Sequence, residues 1–354
     1  MILAGIDEAG YGPLLGPLVV GCCAFEVEAE PHGQPPCLWK RLRKHVSKSR
    51  VKEGKKLHVN DSKIVYSPAG GLRELERSVL TLAAASGDCP ADLETFLGKV
   101  AGHVLGDLPG YAWYQPRSGE KFPLEQEALP IQLFAKALRG EMERSNTRLI
   151  HLAARVVCER QLNRMIEATR NKASVLFSTA AIHLDHLIRT YGKQGLVILC
   201  DRQGGRGHYG SLLRLMFEDW SLEITREDEA RSEYVLRQDG HAVRITFAEK
   251  AEAQCLPVAL ASMVSKYLRE ALMRRFNAWW RQHLPEVAPT AGYYTDGVRF
   301  LNDIEAKRRE LGVADEQLIR SRGGANVAVF IAAARHGGCR TTWRVPIPEV
   351  IEEL

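Results

Sequence analysis

Apolar residues run from Ile2 to Ile6 and stop at two adjacent acids, Asp7 and Glu8. A glycine-rich turn follows, Ala9-Gly10-Tyr11-Gly12-Pro13, and Leu18 to Phe25 is apolar again. This pattern predicts strand, loop, strand. Leu196 to Cys200 is a second continuous apolar run of strand length, opened by Gly195 and closed by Asp201, as expected of a buried central strand. Between Ser221 and Phe247, Asp239-Gly240 separates Tyr234-Val235-Leu236 from Val243-Arg244-Ile245, which predicts a hairpin and an antiparallel extension.

Helical spacing dominates elsewhere. Arg73 to Ala85 fits one helix, and amphipathic patterns recur from Leu124 to Tyr191, with Leu149, Leu152, Ala153, Val156 and Val157, then Leu184, Leu187 and Ile188, at helical intervals. From Leu256 to Trp280 the positions Leu260, Met263, Val264, Tyr267, Leu268, Leu272, Phe276 and Trp279 mark one apolar face, with Lys266, Arg269, Glu270, Arg274 and Arg275 off it. Gly87 to Pro123 is broken too often by Gly and Pro to assign. Pro31 to Lys56 is proline-rich and then basic, an exposed connection that either meets solvent or contacts phosphate. Alternation of strands and helices makes this an α/β protein.

Composition narrows the function classes only a little. A chain of 354 residues, 45% hydrophobic, can bury a large core, and a net charge of +5 leaves any nucleic-acid partner to local basic patches. The eight cysteines (Cys22, Cys23, Cys37, Cys89, Cys158, Cys200, Cys255 and Cys339) form no CxxC pair and no zinc-finger spacing, so they are expected to be reduced and mostly buried. The N-terminus lacks a signal-peptide pattern, and no run approaches the ~20 apolar residues of a membrane span. A cytoplasmic setting is expected.

The chemistry lies in the acids at strand ends. Asp7 and Glu8 close one strand and Asp201 another, and a parallel sheet can bring such ends together with an acid from a later helix. Clustered carboxylates are the ligands that hard divalent cations require. Two such ions about 3.5–4 Å apart can activate water and stabilise a leaving oxygen in phosphodiester cleavage.

Gly5-Ile6-Asp7-Glu8-Ala9-Gly10-Tyr11-Gly12-Pro13-Leu14 resembles the opening motif of type 2 ribonucleases H, in which a paired Asp-Glu precedes a Gly-Arg-Gly loop; Tyr11 stands where that arginine is expected. Asn60-Asp61-Ser62-Lys63 resembles the family's Asn-Asp-Ser-Lys signature. Ala261-Ser262-Met263-Val264-Ser265-Lys266-Tyr267-Leu268-Arg269-Glu270 is similar to its Ala-Ser-Ile-x-Ala-Lys-Val-x-Arg-Asp helix, and Gly292-Tyr293-Tyr294-Thr295 to its Gly-Tyr-x-Thr block. The blocks lie between residue 2 and about residue 322, with long unmatched stretches between them.

The resemblance implies a ribonuclease H-like fold, a mixed five-stranded sheet flanked by helices, with insertions at about 86–125 and 206–250 and a C-terminal extension, 323–354, of unknown role. It implies Asp7, Glu8, Asp201 and Glu270 as the Mg²⁺- or Mn²⁺-binding catalytic quartet, with Asp7 and Asp201 bridging. It further implies Gly10, Tyr11, Gly12, Ser62, Lys63, Lys266, Arg269 and Tyr293 as substrate contacts. Glycines at 10 and 12 would let the backbone approach a ribose 2′-hydroxyl. The activity implied is hydrolysis on the 5′ side of a ribonucleotide in an RNA/DNA hybrid or a ribonucleotide-containing DNA duplex, by a monomer without membrane contact. Two alternatives share the carboxylates: a nuclease without junction preference, and a binding protein that keeps the fold but has lost efficient catalysis.

Overall fold

A computed structural model describes residues 1–29 and 33–321. The expected C-terminal extension lies outside the described residues. Nine strands are described: β1 (Ile2–Ala9), β2 (Leu18–Val27), β3 (Val46–Ser47), β4 (Leu57–His58), β5 (Thr147–Val157), β6 (Leu196–Asp201), β7 (Ser221–Glu227), β8 (Arg231–Gln238) and β9 (His241–Ala248). Seven of them form one mixed sheet in the order β5-β2-β1-β6-β9-β8-β7, while β3 and β4 make a separate short pair. Strands β1, β6 and β9 run parallel; β2 is antiparallel to both β1 and β5, and β8 to both β7 and β9.

Helices cover both faces, and strand alternation supplies each with its own apolar set. Leu3, Val19, Cys23 and Phe25 pack with the Leu256–His283 helix and the Arg73–Ala85 helix. Ile2, Ala4, Ile6, Val20 and Cys22 pack with the Glu159–Thr169 and Lys172–Tyr191 helices. Two glycines fix how closely the Leu256–His283 helix approaches. A Cβ at Gly5 would lie 2.2 Å from the Val258 nitrogen, and one at Gly21 would lie 2.4 Å from the Ala261 carbonyl oxygen. Backbone meets backbone there, so the helix start is pressed against β1 and β2 where the acids emerge.

Several expectations hold in detail. The Asp239-Gly240 turn has both residues at positive φ (50° and 78°), as a two-residue hairpin requires. The hairpin is not appended to a finished sheet, however. Its second strand, β9, lies between β6 and β8, so the sheet has seven strands where five were expected. Among the described residues, no helix is long and apolar enough to cross a membrane.

Other expectations are corrected. Leu149 to Val157, expected to be helical, lie in β5, an eleven-residue edge strand paired with β2. Its apolar residues lie on both sides of the strand, which blurs the period-2 signal. Arg269 and Arg275, expected off the apolar face of their helix, are buried with 1% exposure. Arg275 is held by Glu94 and Glu120, acids of the stretch that resisted assignment. That stretch folds as the Leu93–Ala101 helix followed by short 3₁₀ turns. Fully buried Glu76 anchors its end, accepting hydrogen bonds from the backbone N–H groups of Leu124, Glu125 and Gln126 (2.6, 2.7 and 2.7 Å) and from the Tyr267 hydroxyl at 2.7 Å.

Candidate active site

The parallel pairing of β1 and β6 builds the site. Ile6 pairs with Cys200, so the next residue on each strand, Asp7 and Asp201, reach the C-terminal edge side by side. Ile6 and Cys200 pack on the Lys172–Tyr191 side, and alternation turns the two acids toward the Leu256–His283 helix. There the Ser262 hydroxyl hydrogen-bonds the Asp7 carboxylate, and the Ser265 hydroxyl donates to the Asp7 carbonyl at 3.1 Å.

The acids act strongly on one another. Burial, then the charges of Glu8 and Asp201, raise Asp7 well above the ordinary carboxylate range. Burial and Asp201 raise Glu8 to about 7, although nearby Lys63 pulls it down. A fourth acid was not expected: Glu252, in the 3₁₀ turn Ala251–Ala253 just before the helix. Burial and the charges of Asp201 and Asp61 raise Glu252 to about 7, and its carboxyl hydrogen-bonds that of Asp201. Burial raises Asp201 above the ordinary carboxylate range, against the hydrogen bonds from the Ala251 N–H and the Glu252 carboxyl. Asp201 also accepts from the Ala251 N–H at 3.2 Å, which fixes the turn against β6. Two buried carboxylate oxygens, Glu8 Oε2 and Glu252 Oε2, have no hydrogen-bond partner.

Glu270 is elsewhere. It lies eight residues beyond Ser262, about 12 Å along the helix at 1.5 Å per residue. One carboxylate oxygen accepts from Lys266 at 2.7 Å and Arg269 at 3.2 Å; the other accepts from the Tyr66 hydroxyl at 3.2 Å. Its charge is satisfied by the protein, and none of the shifts of Asp7, Glu8 or Asp201 traces to it.

The other predicted residues divide into exposed and buried. Lys63 is exposed, and Asp61, Asp7, Glu252 and Asp201 raise its pKa against the opposing effect of burial, so its ammonium lies in the field of the cluster. Asp61 caps the Ser62–Val65 helix by accepting from the Lys63 N–H at 2.9 Å, which aims that turn at the acids. Ser62 is buried, its hydroxyl 3.0 Å from that of Ser262, and so supports the residue that hydrogen-bonds Asp7. Lys266 is committed to Glu270. Arg269 is buried and donates to the Leu15 and Ala291 carbonyls at 3.3 and 2.9 Å, joining two loops instead of facing solvent.

Those loops form the rim. Gly10, at φ 85°, has no room for a Cβ, which would approach the Pro17 carbonyl oxygen to 2.6 Å and the Arg269 side chain to 2.7 Å. Gly12 is exposed, and a Cβ there would meet nothing within 4 Å. The Tyr11 ring packs under the Lys172 ammonium at 4.9 Å. Tyr293 is half exposed on the segment whose Gly292 carbonyl accepts from Leu14 and Leu15 N–H at 2.7 and 3.1 Å. Beneath the rim lies a residue with no visible sequence signal, Arg320. Its buried guanidinium donates to the carbonyls of Gly10 (2.5 Å), Tyr11 (3.2 Å) and Gly16 (3.4 Å). Burial and Arg269 push its pKa down to about 9 despite the countering charge of Glu159.

No protein-family model matches the chain. Over 63 residues it is 46% identical to ribonuclease HII of Methanocaldococcus jannaschii, a match spanning 18% of this chain and 18% of that protein. The chain thus covers less than a fifth of the length of this curated relative. Similar solved structures include the PCNA:RNase HII complex of Archaeoglobus fulgidus (TM-score 0.41, 15% identity, 92% of this chain and 96% of that chain). They also include ribonuclease H2 of Pyrococcus horikoshii OT3 (TM-score 0.39, 14% identity, 95% and 100%) and Bst-RNase HIII in complex with Mn²⁺ (TM-score 0.37, 15% identity, 95% and 70%).

Proposed function

We propose that the chain, with residues 1–322 as its catalytic unit, is a divalent-metal-dependent endonuclease of the type 2 ribonuclease H kind. It hydrolyses the phosphodiester on the 5′ side of a ribonucleotide in an RNA/DNA hybrid or a ribonucleotide-containing duplex, leaving 3′-hydroxyl and 5′-phosphate ends. It acts as a cytoplasmic monomer with Mg²⁺ or Mn²⁺. The observation that carries this reading is the under-compensated cluster of Asp7, Glu8, Asp201 and Glu252, two of whose buried oxygens lack any partner. Four such groups fit hard cations, and protonation is what the isolated chain substitutes for them.

When bound, divalent ions supply the field that activates water and stabilises the leaving oxygen. The residues supply position. Asp7 and Asp201, side by side at the end of paired strands, would hold the ions together with Glu8 and Glu252. The Ser262 hydroxyl orients Asp7, and the Ala251 N–H orients Asp201. Lys63 holds the scissile phosphate by a charge-assisted contact. The open space over Gly12 admits a ribose 2′-hydroxyl to the loop backbone that Arg320 and Arg269 hold rigid. Water attacks phosphorus, the bond from phosphorus to the upstream 3′ oxygen breaks, and that oxygen leaves as the 3′-hydroxyl.

The test uses three end-labelled duplexes: DNA with one embedded ribonucleotide, a full RNA/DNA hybrid and plain DNA, each with Mg²⁺ or Mn²⁺ and an Asp7→Asn control. Metal-dependent cutting beside the lone ribonucleotide, absent from the control, is expected. Cutting of the hybrid alone would assign Tyr11 a change of specificity. Binding without cutting would overturn the reading in favour of a binding protein.

A further inference from the structure

On the face of the sheet opposite to the one that Asp7 and Asp201 turn toward, three metal-ligand side chains converge. Cys22 of β2, His151 of β5 and His183 of the Lys172–Tyr191 helix each offer a ligand atom within 4.8 Å of the others. The backbone explains the convergence. Ala24 pairs with His151 and Cys22 with Ala153, so Cys22 and His151 are diagonal neighbours on one face. The helix lays His183 across them.

The details suit a borderline-soft ion. His183 is buried, and its Nε2 donates to the Val20 carbonyl at 3.0 Å, which leaves Nδ1 as the free lone pair. A bond of this kind, from ring N–H to backbone carbonyl, commonly orients a metal-bound histidine. His151 Nε2 is buried without a partner, an orphan that an ion would satisfy. Burial holds both imidazoles neutral, His183 down to about 3 and His151 to about 4, the form that ligates. Cys22 is completely buried, and its thiol is raised by that burial. His186 is exposed, and its ring stacks on that of His151 at 4.5 Å.

We propose that Cys22, His151 and His183 form a Zn²⁺ site that ties the two edge-side strands β2 and β5 to the Lys172–Tyr191 helix. Two imidazoles and one thiolate, with water completing a tetrahedron, form a donor set of the kind zinc takes. Binding releases the Cys22 proton to solvent as the S–Zn bond forms, with no change of oxidation state. The site does not depend on the nuclease reading.

The full chain, stripped with a chelator, is titrated with Co²⁺ as an optical probe and then with Zn²⁺, counting bound metal by mass spectrometry. One equivalent of Co²⁺ should give a thiolate-to-metal charge-transfer band that Zn²⁺ displaces and Cys22→Ser abolishes. His151→Gln, at a partly exposed position and checked for folding by circular dichroism, should weaken binding at least ~10-fold. Absence of the band in the unmodified chain, or an unchanged Zn²⁺ count and affinity in folded His151→Gln, would overturn the proposal. Carboxylate-bound cobalt gives no thiolate band, so the acid cluster cannot mimic the signal.

Discussion

The approach to the Leu256–His283 helix and the middle of that helix each carry a glutamate, and the two have opposite surroundings. Glu270 has three donors on its carboxylate from Lys266, Arg269 and Tyr66, while Glu252 faces the like charge of Asp201 and keeps one oxygen unpartnered. A carboxylate whose charge the protein itself neutralises is structural. One left under-compensated beside like charges is where an external cation belongs. The contrast sets Glu252 apart from Glu270, the residue that the sequence resemblance implies as the fourth acid.

The largest effect expected comes from removing a cluster member. Asp7→Asn, Asp201→Asn and Glu252→Gln should each lower kcat by ~10²–10³-fold or more, as loss of a transition-state contact does, in Mn²⁺-dependent cleavage assays. Arg320→Met should cost ~3–5 kcal/mol in denaturant unfolding, because the carbonyls of Gly10, Tyr11 and Gly16 lose their buried donor. Lys63→Ala should reduce kcat/KM about tenfold, as expected for one charge-assisted contact of ~1.5 kcal/mol. Glu270→Gln should change cleavage by less than about threefold while destabilising the fold by ~1 kcal/mol.

Acidity sharpens the same contrast. Glu8 and Glu252 are held at about 7 against an ordinary 4.5, so the folded, metal-free chain prefers them protonated. Their contribution to stability is complete below pH 4.5 and is lost as pH rises through about 7. In chelator, Tm should therefore fall over that window. Added Mn²⁺ should raise Tm more above pH 7 than near pH 5, because at low pH the ion must displace protons.

Legibility followed the physics of each residue. Asp7, Glu8 and Asp201 could be read because each ends an apolar run, and a strand buried on both faces announces itself in one dimension. The hairpin at Asp239-Gly240 could be read because its positive φ angles demand those residue types. Glu252 could not, since Glu249-Lys250-Ala251-Glu252-Ala253-Gln254 reads as a solvated turn and only the register of β6 against β9 brings it to Asp201. Arg320 was equally silent, because its partners are backbone carbonyls about 300 residues away in sequence. Ser62, Lys266 and Arg269 are expected at the substrate from their motif neighbours; Ser62 and Arg269 are buried among protein partners, and Lys266 pairs with Glu270, which no motif announces.

The measurement that tests the central claim most directly is product mapping on a duplex with one ribonucleotide, in Mn²⁺, for the unmodified chain, Glu252→Gln and Glu270→Gln side by side, with folding checked by circular dichroism. Cutting on the 5′ side of the ribonucleotide is expected from the unmodified chain and Glu270→Gln, and none from folded Glu252→Gln. Full cutting by Glu252→Gln with loss in Glu270→Gln would contradict it and return the fourth acid to the middle of the helix.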